Sequence, residues 1–167
     1  MSLSAGGIFR PGMRAYFVPL AAGVVLAASA FLPWIIVGSE SMRGVPDVAA
    51  LWIAGLGAIA AVLALLSLIT RRNSRHPLLI VGLFAFGIMF LSWRIMPRMA
   101  GDRAQTASQA FAIVQDTPVN APAPVARAAF GIYVGLVAAT VLVGFGLTIV
   151  VKRAAQPYIV TSPDDDV

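Results

Sequence analysis

The chain has 167 residues, of which 59% are hydrophobic and only 11% charged, and it carries a net charge of +5. A soluble domain carries about 25% charged residues, so this composition excludes one. The absence of cysteine excludes disulfide frameworks, thiolate catalysis, iron–sulfur ligation and cysteine zinc sites. The twelve basic residues lie scattered at the ends of apolar runs with no aromatic interleaving, so they point to anionic lipid rather than to nucleic acid.

None of the charged residues falls within four long apolar runs: Ala15 to Ser39, Val48 to Thr70, Pro77 to Trp93 and Ala128 to Val151. A hydrocarbon core of about 30 Å needs about 20 helical residues. The runs therefore predict an all-α integral membrane protein, a bundle of four transmembrane helices over about 15–38, 48–70, 77–96 and 128–151. Residues 1–14 read as a cytoplasmic arm, 15–153 as the membrane domain with an outer loop over 97–127, and 154–167 as a flexible acidic tail.

Taken in chain order, Arg10 and Arg14 ahead of an apolar stretch with Ala28-Ser29-Ala30 imitate a secretory signal and its cleavage site. The apolar character continues through Phe31 to Val37, which favours an uncleaved first helix. Pro33 removes a donor to the Ser29 carbonyl and should bend or end that helix near its outer face, with Trp34 at headgroup depth. Trp52, Trp93 and Arg94 complete a set of interface anchors at the same face.

The second run carries small residues at intervals of four, Ala50, Ala54 and Ala58 beside Gly57 and Ala61. The fourth carries a ladder of Gly131, Gly135 and Ala139. Small residues let helix backbones approach closely in lipid, so these faces are expected to pack against other helices, in this chain or in a partner.

The connector Arg71-Arg72-Asn73-Ser74-Arg75-His76 is the densest basic segment between any two runs and is expected on the cytoplasmic side. That orientation puts Arg10, Arg14, Arg71, Arg72, Arg75, Lys152 and Arg153 inside and Arg43, Arg94, Arg98, Arg103 and Arg127 outside, with both termini cytoplasmic.

In the long outer loop, Ala107, Ala110, Phe111 and Val114 share one helical face opposite Gln105, Ser108, Gln109 and Gln115, and Asp102 could cap its start. This predicts a short amphipathic helix on the outer surface. Pro118, Pro122 and Pro124 then form an extended strap into the last run. The tail ends in Asp164, Asp165 and Asp166, a solvated acidic end.

Chemically active groups are missing from the runs. Only Ser29, Ser67, Thr70, Ser92, Thr140, Thr148 and Tyr133 supply polar side chains there, and a hydroxyl in a helix can bond a carbonyl one turn back. His76 is the lone histidine and precedes Pro77, a favoured first helical residue. It is conceivable as an axial ligand to a porphyrin metal, but a solvated or lipid-facing histidine is the favoured reading. No nucleophile elbow and no phosphate-cradling glycine loop is present, so no cofactor, metal or catalytic residue is assigned.

These features predict a non-catalytic accessory or scaffold subunit of a larger energy-converting or transport complex in a bacterial plasma membrane, in contact with membrane lipids. The alternative is a small channel or carrier whose pathway forms only at the axis of a homo-oligomer.

Overall fold

In the computed structural model, which describes residues 15–70, 75–115 and 125–154, the first apolar run divides at Pro33. Helix α1 covers Phe17–Ser29 and stops four residues before that proline, whose ring would collide with the Ser29 carbonyl. At 13 residues, about 20 Å, α1 is shorter than a full span. The expected helix over 15–38 is thus corrected: its second half is not helical.

The second half of the run instead opens a β-hairpin, β1 Pro33–Val37 and β2 Glu40–Arg43. Ile35, Ile36 and Val37 are β-branched and favour extended backbone, and Gly38 takes φ 61° in the two-residue turn that joins the strands. A third strand, β3 Ala126–Ala128, pairs antiparallel with the other side of β1, setting Ile35 opposite Ala128 and Val37 opposite Ala126. The two connecting segments at this end of the bundle are thereby joined in one sheet of order β2-β1-β3. The four-helix bundle expected from the sequence thus gains a three-stranded cap at one end.

Helix α2, Val48–Thr70, matches the second run residue for residue. Asp47 caps it: its Oδ1 accepts the Ala49 amide at 2.9 Å. Helix α3 is a continuous 40 residues, Arg75–Val114, with Pro97 inside it. The expected break near Met96 and the separate surface helix are corrected together, because Ala107 to Val114 prolong α3 rather than start anew. Asp102 is no cap, since it lies mid-helix, where its carbonyl accepts Thr106 Oγ1 at 2.9 Å. Helix α4 covers Phe130–Ala154.

Among the described residues, three helices are long and apolar enough to cross a membrane: Val48–Thr70, His76–Val114 and Phe130–Thr148. α1 is apolar but shorter. The four alternate in direction, α1 lying against α2 and α4, and α3 against α4. Tyr16 at the start of α1 meets Phe145 of α4 edge-on at 5.3 Å and closes the end of the bundle opposite the sheet. The N-terminal arm with Arg10 and Arg14, residues 71–74 of the basic connector, the Pro118 to Pro124 strap and the acidic tail lie outside the described residues.

The helix seams are built on small residues. A Cβ on Gly23 would lie 2.6 Å from the Ala61 amide nitrogen, and one on Gly57 would lie 2.8 Å from Ala27 Cα. α1 and α2 therefore touch backbone to backbone. Between α3 and α4, a Cβ on Gly82 would sit 3.0 Å from Val143 N, and one on Gly146 would sit 2.6 Å from Leu79 Cβ.

Within this core the Ser67 hydroxyl is buried and makes no hydrogen bond among the described residues. Ser67→Ala is expected to be neutral or stabilising by up to about 1 kcal/mol, since it removes an unsatisfied polar atom. A clear loss of thermal stability in detergent would show that the hydroxyl has a partner.

Candidate functional site

Trp34 organises the sheet end. It is the extra residue of a β-bulge, because Pro33 pairs with Arg43 and Ile35 with the adjacent Met42. A bulge re-aims a side chain, and here the indole points into the bundle and is 1% exposed. Its Nε1–H donates to the Ser29 carbonyl oxygen at 2.8 Å, the carbonyl to which Pro33, four residues on, has no amide hydrogen to offer.

Two glycines make room for the ring. A Cβ on Gly44 would lie 2.7 Å from Trp34 Cε2, and one on Gly131 would lie 2.8 Å from Trp34 Cδ1. Around it the backbone groups pair off: Val45 N–H donates to Ala30 O at 3.0 Å, Gly44 N–H to Leu32 O at 3.1 Å, and Ala129 N–H to Trp34 O at 2.8 Å. Irregular backbone next to lipid is tolerated when its polar groups are satisfied inside the protein, as these are.

Beside Trp34, between the sheet and α3, runs a groove of about 770 Å³. Its floor is Trp34, Ile35, Leu91, Ser92 and Met96; Met42, Gly44, Pro46 and Ala49 form one wall and Met99, Ala100 and Ala104 the other. Arg43 from β2 and Arg103 from α3 stand at its edges, with Asp47 at the start of α2. The lining is predominantly apolar. Three flexible methionines let it adapt to an irregular guest.

Of the expected interface anchors, Trp34 is corrected to a buried residue of the cap, facing the protein interior rather than lipid. Trp52 is exposed on α2. Trp93 is half-buried against Phe90, with ring centroids 5.9 Å apart, and the exposed Arg94 guanidinium lies 5.9 Å from its centroid.

The packing residues sit inside the bundle. Gly57 and Ala61 face α1; Gly131 faces β1 and Trp34; Gly135 meets Met89 of α3 and Ser29 of α1; Ala139 is fully buried. Of the second stripe on α2, Ala50 is buried, Ala54 half-buried and Ala58 exposed. His76 stands at the end of α3 opposite the groove.

Arg43, Arg94, Arg98, Arg103 and Arg127 all belong to the sheet end, on β2, β3 and the far half of α3. Among the described residues no cluster of three metal-ligating side chains occurs. Thr70, Thr140 and Thr148 donate their hydroxyls to carbonyls of their own helices at 2.7–2.8 Å.

Sequence reasoning missed the groove and Gly44, Gly23 and Gly82. Signals for the hairpin that makes the groove were present in Ile35-Ile36-Val37 followed by Gly38-Ser39. Comparison with protein-family models, with curated proteins and with solved structures gives no match.

Proposed function

We propose that the protein is a non-catalytic accessory subunit that holds a partner in a larger membrane complex, through the arm that α3 extends past the bundle. The carrying observation is the apolar tip of that arm. At 40 residues α3 is about 60 Å long, about twice the hydrocarbon core. From Gln105 to Gln115 every side chain but Ala112 is exposed, including Phe111 at 68%, Ile113 at 79% and Val114 at 84%. Large apolar side chains held away from a membrane-seated bundle are costly in water, and such patches mark contact surfaces.

The glycine seams engaged within the bundle give it a rigid frame from which to present the arm. In this reading the chain sits in a bacterial plasma membrane with the sheet end outward, the basic connector being the cytoplasmic side. A pathway at the axis of a homo-oligomer gains no support from Thr70, Thr140 and Thr148, whose hydroxyls are already donated within their own helices.

The test is to solubilise tagged full chain in mild detergent and to identify what stays bound by native gel and mass spectrometry. The expected result is a stoichiometric complex with other membrane subunits, lost in a Phe111→Ser, Ile113→Ser, Val114→Ser triple variant that keeps the thermal stability of the bundle. A homogeneous homo-oligomer without partners, or a complex indifferent to the triple variant, would overturn the proposal.

A further inference from the structure

We propose that the groove between the sheet and α3 holds one anionic membrane lipid, its phosphate-bearing headgroup between Arg43 and Arg103 and an acyl chain along the floor. Three independent observations converge on this occupant.

The first is charge. Arg43 of β2 and Arg103 of α3 both line the groove, and no ion pair engages either of them among the described residues. Among the described residues the only carboxylate lining the groove belongs to Asp47, and its Oδ1 already accepts the Ala49 amide as the cap of α2. Two guanidiniums facing one cavity suit a phosphate, whose oxygens accept the planar fork of donors.

The second is Ser92. It lines the floor, is 6% exposed and makes no hydrogen bond among the described residues. A helical serine commonly satisfies itself on the carbonyl one turn back, and this one does not. Its hydroxyl is left to a guest in the groove, and a lipid's glycerol-ester oxygens, lying between headgroup and chain, are acceptors of the required kind.

The third is position. The floor continues into the apolar Leu91 and Ile95, which are 56% and 47% exposed on α3. An acyl chain can therefore enter sideways from the bilayer while its headgroup stays at the arginines. A volume of about 770 Å³ is within the range of about 300–1,000 Å³ usual for small-molecule sites. A free phosphate would engage the arginines but leave the apolar floor empty.

The proposal does not depend on the accessory role, since the tip of α3 lies outside the groove and changes there leave it untouched. Its test uses the full chain in neutral detergent, with phosphatidylglycerol or phosphatidylcholine of identical acyl chains, read by native mass spectrometry and by thermal stability. Wild type is expected to retain one phosphatidylglycerol roughly tenfold better than phosphatidylcholine, equivalent to a single charge-assisted contact.

The Arg43→Gln, Arg103→Gln double variant should lose that preference while keeping its stability in phosphatidylcholine. An Arg94→Gln, Arg98→Gln variant, on the same helix but outside the groove, should keep it. Ser92→Leu should lower retention of both lipids by filling the floor. Equal retention of the two lipids by wild type, a preference that survives in the double variant, or displacement of phosphatidylglycerol by millimolar inorganic phosphate would each overturn the proposal. Should the double variant fold poorly, Arg43→Gln and Arg103→Gln are compared singly, each expected to weaken the preference, and a preference unchanged in both would overturn the proposal.

Discussion

Trp34→Ala is expected to lower stability by about 3–5 kcal/mol, the range for truncating a buried aromatic residue, and to lower Tm in detergent by on the order of 10 °C. The magnitude reflects how many roles the indole combines. It fills the space between Gly44 and Gly131, it sits in the bulge that turns β1 against the bundle, and its Nε1–H satisfies the Ser29 carbonyl. Trp34→Phe separates these roles. It retains most of the apolar volume but leaves Ser29 O with the Leu32 amide alone, at 3.2 Å, and should cost about 1–3 kcal/mol. Trp52→Ala serves as the control, because that ring is 62% exposed and its loss should change stability little. Thermal unfolding followed by far-UV circular dichroism checks all three. If Trp34→Ala behaved like Trp52→Ala, the cap would not depend on the indole at all.

The same residue shows what the sequence made legible and what it hid. Pro33 announces the end of the first helix, and α1 does end at Ser29, the residue whose carbonyl the proline ring would strike. The conformation beyond Pro33 was obscured because hydropathy measures apolar character and not backbone shape. Phe31 to Val37 continue an apolar run equally well as helix or as strand. The distinguishing marks are local: three consecutive β-branched residues and then Gly38-Ser39, a two-residue turn that only the hairpin reading uses.

At α3 the error has the opposite sign. The charges from Arg94 onward end the apolar run near Met96, yet a charge does not end a helix and Pro97 removes one hydrogen bond, at the Trp93 carbonyl, while the alanine-rich stretch from Met99 to Ala112 carries the helix on. Spans with neither complication, such as Val48–Thr70, are read correctly to the residue. The groove was out of reach for a related reason. Its walls come from 34–49 and 91–104, and they face each other only once the hairpin exists and α3 continues past the bundle.

The second large effect belongs to the α1–α2 seam, where a pair of glycines two positions apart gives opposite expectations. Gly57→Leu should destabilise by upwards of about 3 kcal/mol, because a side chain there meets the backbone of Ala27 and the Gly23 carbonyl, and backbone cannot rotate aside as a side chain can. The two helices would have to separate along their length, and in lipid no hydrophobic driving force would draw them back. Gly55→Leu, by contrast, projects into open space and replaces a poor helix former by a good one, a gain of up to about 1 kcal/mol. The α3–α4 seam repeats the comparison: Gly146→Leu meets Leu79 and should be harmful, whereas Gly144→Leu meets nothing within 4 Å and should be tolerated. Thermal stability of the four purified variants reads the result directly. Equal behaviour within each pair would mean that the small residues face lipid rather than each other, and the packing of the bundle would have to be rotated accordingly.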